Sequence, residues 1–309
     1  MATSRLLLLD AASLYFRAFF GVKAAQPAPD GTPTNALRGL LDMISTLATR
    51  FRPTHLAACW DEDWRPQFRV EAIPSYKAHR LLPGTDHVEQ VPEELEVQVP
   101  LIRRTLEAFG IPVLGAPGYE ADDVIGTLVA RHAGTMPILV VTGDRDLFQL
   151  VDDEAGVAVV YPAKGVREAE VVTQETLHER YGVRTGAAYA DMAVLRGDAS
   201  DGLPGVPGIG EKTAAALIRQ FGSLEGLQQA LADGAPGITG ARRANLLAAA
   251  DYLRVAPGVV RVARDADVPA VPLEVPTELA DPETLQQLVE AYGIGNPVAR
   301  LMKALGLEG

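Results

Sequence analysis

One cysteine stands in 309 residues, Cys59, so no intrachain disulfide and no cysteine-based zinc cluster can form. Its neighbours Leu56, Ala57, Ala58 and Trp60 mark a buried strand, and the thiol is read as a small core group rather than a reactive one. No apolar run approaches the roughly 18 residues that a membrane span needs. The Leu6–Leu9 run is too short for a signal-peptide core and ends on Asp10. Positive charge is also short: 28 Lys and Arg face 40 Asp and Glu, a net charge of -12. Over the whole chain this speaks against a nonspecific polyanion binder. Internal repeats and low-complexity tails are missing too. What is left is a soluble cytoplasmic protein with 48% apolar residues to build a core.

Short apolar segments alternate with helical patterns through the first half. Leu6–Leu9, Thr54–Trp60, Ile111–Leu114, Ile138–Val141 and Val157–Tyr161 read as buried strands. Between them, helices are expected after Asp10, over Asn35–Phe51, Glu93–Phe109 and Tyr119–His132, and briefly over Arg145–Val151. This alternation predicts an α/β fold, a mainly parallel twisted sheet flanked by helices. Strands are expected to stop near residue 170, where Thr173–Tyr181, Ala187–Leu195 and Thr213–Phe221 read as helices. The division is then a sheet domain over 1–170 and a helical domain over 171–309. Val259–Pro272 leaves a further strand open.

The acids fall in a pattern. Three predicted strands deliver Asp10, Asp61 and Asp144 at their ends, the edge where parallel sheets gather functional groups. Asp146 follows on the exit loop. Glu120 and Asp123, at i and i+3, share a face at a helix start, while Asp122 points elsewhere on the same turn. Asp198 and Asp201 sit in a loop before a glycine-rich turn. Singly, each has an ordinary explanation as a helix cap or turn residue. Nine carboxylates brought together would repel, each close pair by about 4 kcal/mol at an effective dielectric of 20. Protons or cations must then sit among them. Oxygen ligands without His or Cys select Mg²⁺ or Mn²⁺ over zinc. Two such ions about 4 Å apart are a common apparatus for phosphodiester hydrolysis.

Residues 62–92 mix Arg65, Arg69, Lys77, His79 and Arg80 with Trp64, Phe68 and Tyr76. An ordinary surface loop would look similar. Beside an acid cluster, the bases suit a nucleic-acid backbone and the rings suit stacking on bases. Lys77 and Arg80 would clamp the scissile phosphate. Farther on, Pro204-Gly205-Val206-Pro207-Gly208-Ile209-Gly210-Glu211-Lys212-Thr213 precedes a helix. Its glycines allow close backbone approach to a phosphate, and Lys212 adds a charge. The spacing of a nucleotide-binding loop is missing, which argues against an NTPase. The segment reads as a helix–hairpin–helix over about 190–221 that grips duplex backbone.

Together these segments resemble the bacterial 5′-nuclease family, the 5′-3′ exonuclease domain of DNA polymerase I and the flap endonucleases. The match runs through Leu9-Asp10 to Arg17-Ala18, Gly31-x-Pro33-Thr34, Phe68-Arg69, Tyr76 to Arg80, Glu120 to Asp123, Thr142 to Asp146 and Gly197 to Lys212. The resemblance implies a PIN-like sheet domain and a helical H3TH-type domain. It implies two or more divalent ions on Asp10, Asp61, Glu120, Asp122, Asp123, Asp144, Asp146, Asp198 and Asp201. Lys77 and Arg80 correspond to its catalytic bases, and residues 62–92 to an arch. Arg17, Arg69, Tyr76, Gly208, Gly210 and Lys212 correspond to DNA-binding positions, with the hairpin resembling a potassium-assisted clamp. The implied partner is DNA with a 5′ flap, nick, gap or free 5′ end, or an RNA primer in a hybrid, handled by a monomer.

Some residues depart from the pattern. The opening reads Asp10-Ala11-Ala12-Ser13, and Ser200-Asp201-Gly202-Leu203-Pro204 lacks the usual Asn. The stretch from Asp61 to Arg69 is one residue longer than is common in that family, which leaves Asp61 and Asp63 as alternative ligands. The length leaves no room for a polymerase domain, so a stand-alone enzyme is expected. The rival readings are a PIN-type ribonuclease and a DNA-binding scaffold without activity.

Overall fold

Leu6–Asp10 forms the central strand β1 because four consecutive leucines need apolar cover on both faces, and all are buried. The computed structural model describes residues 4–22 and 27–307, so the expected domain limits at 1 and 309 lie outside the described residues. Helix α1 (Ala11–Gly21) starts where the Asp10 carboxylate accepts the Ser13 N–H. Helix α2 (Asn35–Phe51) follows, then β2 (His55–Cys59), α3 (Gln67–Ala72), α4 (Glu93–Glu96), α5 (Val99–Phe109), β3 (Val113–Leu114), α6 (Ala121–His132), β4 (Ile138–Val141) and β5 (Val157–Tyr161). The predicted Glu93–Phe109 helix is thus two. Pro100 has no N–H to continue the ladder, and it opens the second helix instead.

Strand β6 (Glu170–Val172) lies where the sequence predicts that strands stop. At three residues it is too short to show alternation, and it closes the edge antiparallel to β5. The sheet order is β3-β2-β1-β4-β5-β6, with the first five parallel. The chain moves outward from β1 to β2 and β3, then returns to place β4 on the other side of β1. The crevice between the ends of β1 and β4 is therefore the topological switch point.

The helical part holds α7 (Gln174–Tyr181), α8 (Gly186–Arg196), α9 (Glu211–Phe221), α10 (Leu224–Ala232), α11 (Gly240–Ala248), α12 (Ala250–Val260), α13 (Pro282–Tyr292) and α14 (Gly295–Leu305). Val259–Pro272 holds the end of α12 and irregular chain, with no strand. Helices α13 and α14 turn back onto α5 and α2, and Leu285, Leu288, Ile294, Val298 and Leu301 join the sheet domain's core. Arg300 fixes this return with a paired contact to Asp42, at 2.8 and 3.1 Å. Their apolar stripes need a partner, and the open side of α2 supplies it.

Candidate active site

The acids meet at the switch point. Asp10, Asp61, Glu120, Asp122, Asp144, Asp146 and Asp198 line one cavity of about 360 Å³, together with Lys77 and Arg80. Local geometry fixes each of them. Asp10 caps α1 and also accepts the Thr142 hydroxyl at 2.6 Å. That hydroxyl accepts the Asp144 N–H at 2.8 Å, so one side chain joins the exits of β1 and β4. Asp61 accepts the Ala121 N–H at 2.7 Å, facing the first turn of α6. Asp63 instead accepts the Arg65 N–H within its own loop and does not line the cavity. Asp61 is therefore the acid that faces the site.

Burial and mutual repulsion govern the charges here. Burial pushes the Asp10 carboxyl up to about 7, against the Thr142 and Ser13 hydrogen bonds, with Asp61 and Asp144 adding to the rise. Glu120 is also pushed up to about 7 by burial, although Lys77 and Arg69 oppose it. Asp146 reaches about 8 through burial and the charges of Asp144, Asp201 and Asp198. Asp198 goes the other way: two hydrogen bonds from Ser200 outweigh its burial and hold it below the usual range.

Two of the nine predicted ligands are placed otherwise. Asp123 is fully buried and faces away from the cavity. It takes a bidentate pair from Arg69, both contacts 2.7 Å, and accepts N–H groups from Glu120 and Ala263. Sharing a helix face with Glu120 did not bring it to the cavity, because that face also packs against α3 and the α12 exit. Asp201 turns its carboxylate to Arg80 at 2.8 Å, at the cavity's rim rather than in its wall.

Two residues expected at the DNA surface are buried. Arg69 is 2% exposed and spends its guanidinium on Asp123, Glu120 and the Val259 carbonyl. Tyr76 is 3% exposed and donates its hydroxyl to Glu120 at 2.7 Å. Neither offers a surface to DNA. Both position Glu120.

Lys77 donates to the other Glu120 oxygen. Its backbone is left-handed, with φ of 47°, at a cost of about 1 kcal/mol. The Lys77 N–H to the Asp201 carbonyl, 2.9 Å, holds that conformation. Gly202 makes the docking possible: at φ of 71°, an added Cβ there would collide with the Ser75 carbonyl. Arg17 stands beside Gly143 on the cavity's flank. Gly208, with φ of 74°, Gly210 and Lys212 are exposed where the hairpin enters α9.

Glu89, Ser13 and Arg196 also belong to the site. Glu89 lines the cavity from the irregular stretch 62–92, whose signal lies in its bases and rings and not in its acids. Ser13 accepts the Gly143 N–H at 2.7 Å. Arg196 ends α8 with Nη2 3.8 Å from both Asp146 and Asp198, and Nη1 3.3 Å from Glu211 on α9. It thus links the acids to the hairpin helix. A base preceding Gly197-Asp198 was the available clue.

The donor set consists of carboxylates on an open cavity. Among the described residues no three His, Cys, Asp or Glu side chains form a ready-made ion cage. An oxygen-lined cavity of this width suits hard divalent ions that keep part of their water shell.

Residues 5–182 match the model of the 5′-3′ exonuclease N-terminal resolvase-like domain, and residues 184–283 that of the 5′-3′ exonuclease C-terminal SAM fold. A 5′-3′ exonuclease of Streptomyces coelicolor is 54% identical over 97% of this chain and 99% of its own length. One from Mycobacterium tuberculosis is 50% identical over 98% of each chain. Among solved structures, the bacteriophage T5 D15 flap endonuclease, in a pseudo-enzyme-product complex with DNA and metal ions, superposes over 98% of both chains with a TM-score of 0.66 at 20% identity. That likeness extends the fold through the returning C-terminal helices. With both domain models matched in order and half the residues shared along the full length of such relatives, this chain belongs to the 5′-3′ exonuclease family and is a nuclease.

Proposed function

We propose that the chain is a structure-specific 5′-nuclease that hydrolyses DNA phosphodiesters at flaps, nicks, gaps and free 5′ ends, including RNA primers in hybrids. The observation that carries this reading is the convergence of seven predicted acids with Lys77 and Arg80 on one cavity at the sheet's switch point. Asp10, Asp61, Glu120, Asp122, Asp144, Asp146 and Asp198, with Asp201 at the rim, would hold Mg²⁺ or Mn²⁺. The three carboxyls held near neutrality support that fit, since each gains from a nearby cation. Bound there, such ions supply an activated water and charge stabilisation at the phosphate.

The chain's own residues do the rest. Lys77, aimed by Glu120, presents an ammonium to the scissile phosphate. Arg80 spends Nη2 on Ser200 and Asp201 and keeps Nη1 for phosphate oxygens. Residues 62–92 guide the 5′ strand. Arg17 and the exposed hairpin of Gly208, Gly210 and Lys212, with potassium, grip the duplex. A cytoplasmic enzyme acting as a monomer is part of this proposal; no helix among the described residues is long and apolar enough to cross a membrane.

A 5′-labelled flap duplex incubated with Mg²⁺ or Mn²⁺, beside EDTA and a blunt control, tests the reading. Metal-dependent cleavage near the junction is expected. Binding without cleavage in either metal would instead indicate a scaffold, and cleavage of RNA alone a PIN-type ribonuclease.

A further inference from the structure

We propose that the groove between the C-terminal end of α2 and α14 is a docking site for an acidic peptide segment of another protein, anchored by apolar side chains. The groove encloses about 980 Å³. It lies at the end of the sheet opposite the acids. Thr54, on its wall, bonds the Arg5 backbone just before β1, whereas the active-site carboxylates follow the other ends of β1, β2 and β4. Substrate DNA held at the carboxylates therefore leaves it free. One wall consists of Arg300 and residues 303–306, which lie beyond residue 283, where the matched family models end.

Charge identifies the occupant. The chain carries a net -12, yet every charged residue lining this groove is a cation. Arg300 is paired with Asp42, and Arg50 donates to the Ala169 carbonyl while lying over the Phe51 ring. Arg52, Arg167 and Lys303 are exposed and make no ion pair among the described residues. Arg52 caps α2 in the left-handed region, with φ of 46°, and lines the groove from there. The Ser45, Thr46 and Thr49 hydroxyls donate back into α2 at 2.7, 2.8 and 2.8 Å. Polar recognition is thus left to the cations.

Ala48, Pro53, Val275, Ala304 and Leu305 supply apolar surface. No aromatic ring lines the groove for bases to stack on, so a peptide with carboxylates and aliphatic side chains fits better than single-stranded nucleic acid.

The test uses the full chain and a fluorescein-labelled octapeptide of alternating Asp and Leu, read by anisotropy. The peptide is expected to bind, and to bind more weakly as salt rises. A Lys/Leu octapeptide should not bind. The triple variant Arg52→Asn, Arg167→Ala and Lys303→Ala should weaken binding at least about tenfold, with flap cleavage unchanged. Asn tolerates the left-handed position, and the other two sites are exposed, so folding is preserved. Unchanged affinity in the triple variant would overturn the proposal. So would equal binding of the Lys/Leu peptide. An unlabelled eight-nucleotide oligothymidine that binds more tightly than the Asp/Leu peptide, and loses that binding in the triple variant, would make the groove a nucleic-acid track instead.

Discussion

Replacing Arg69 by Met separates two roles that its sequence context leaves open. If Arg69 were a surface contact to DNA, the variant would bind DNA less well and fold as before. In the structure its guanidinium is sealed between Asp123, at 2.7 Å twice, Glu120 at 3.0 Å and the Val259 carbonyl at 3.0 Å. Met fills the volume of the stem but leaves the Asp123 charge with only two backbone N–H partners, in a position with no solvent access. Removing one partner of a buried ion pair costs about 3–5 kcal/mol. At this chain size, with about 2.1 cal/mol/K of unfolding entropy per residue, that lowers the thermal midpoint by roughly 5–8 °C. Urea and thermal unfolding without DNA measure it directly. The double variant Arg69→Met with Asp123→Leu should recover part of the loss, since no uncompensated charge then remains. An unchanged midpoint in the single variant, with weakened DNA binding, would refute the reasoning.

Lys77→Met should lower flap cleavage about 10²- to 10³-fold, the scale of losing one donor at a developing charge, with folding intact; single-turnover rates give the number. Asp146 titrates near 8 when folded and near its ordinary value of 3.8 when unfolded. The folded state therefore keeps a proton that the unfolded chain has lost, and this term destabilises progressively as pH rises from about 4 to 8. In EDTA, Asp146→Asn should gain stability relative to the parent across that window. A constant or opposite difference in their melting points would contradict the burial argument. Gly202→Ala should cost about 1–3 kcal/mol through its collision with the Ser75 carbonyl and lower cleavage by displacing Lys77. Proteolysis of residues 62–92 should accelerate in that variant.

The buried strands were legible because they are runs. Leu6–Leu9, Ile138–Val141 and Val157–Tyr161 contain nothing but apolar residues or end on a single Tyr, and runs this short between turn signals fit strands covered on both faces. The acids were legible because strand ends point to one edge. What failed was long-range pairing. Arg69 and Tyr76 look like surface residues in an irregular stretch, and their burial depends on Glu120 and Asp123, about 50 residues away in sequence. Asp123 failed for the complementary reason: spacing reports which side chains share a face, not what will cover it. The return of α13 and α14 was equally hidden. An amphipathic stripe announces that a helix needs a partner without naming one, and α2 lies some 240 residues upstream.

That return has a consequence for synthesis. The face of α2 that carries Asp42 finds its permanent neighbour only when α14 has been made. At about 5–20 residues per second, the interval between the end of α2 and the start of α14 is roughly 12–50 s. Throughout it, the nascent sheet domain presents an apolar flank with nothing to close it. The half of the molecule translated first is thus the last to be completed, and a chain stalled or clipped before residue 295 would hold most of the acid cavity while its framework stayed open to chaperones, proteases and other unfinished chains.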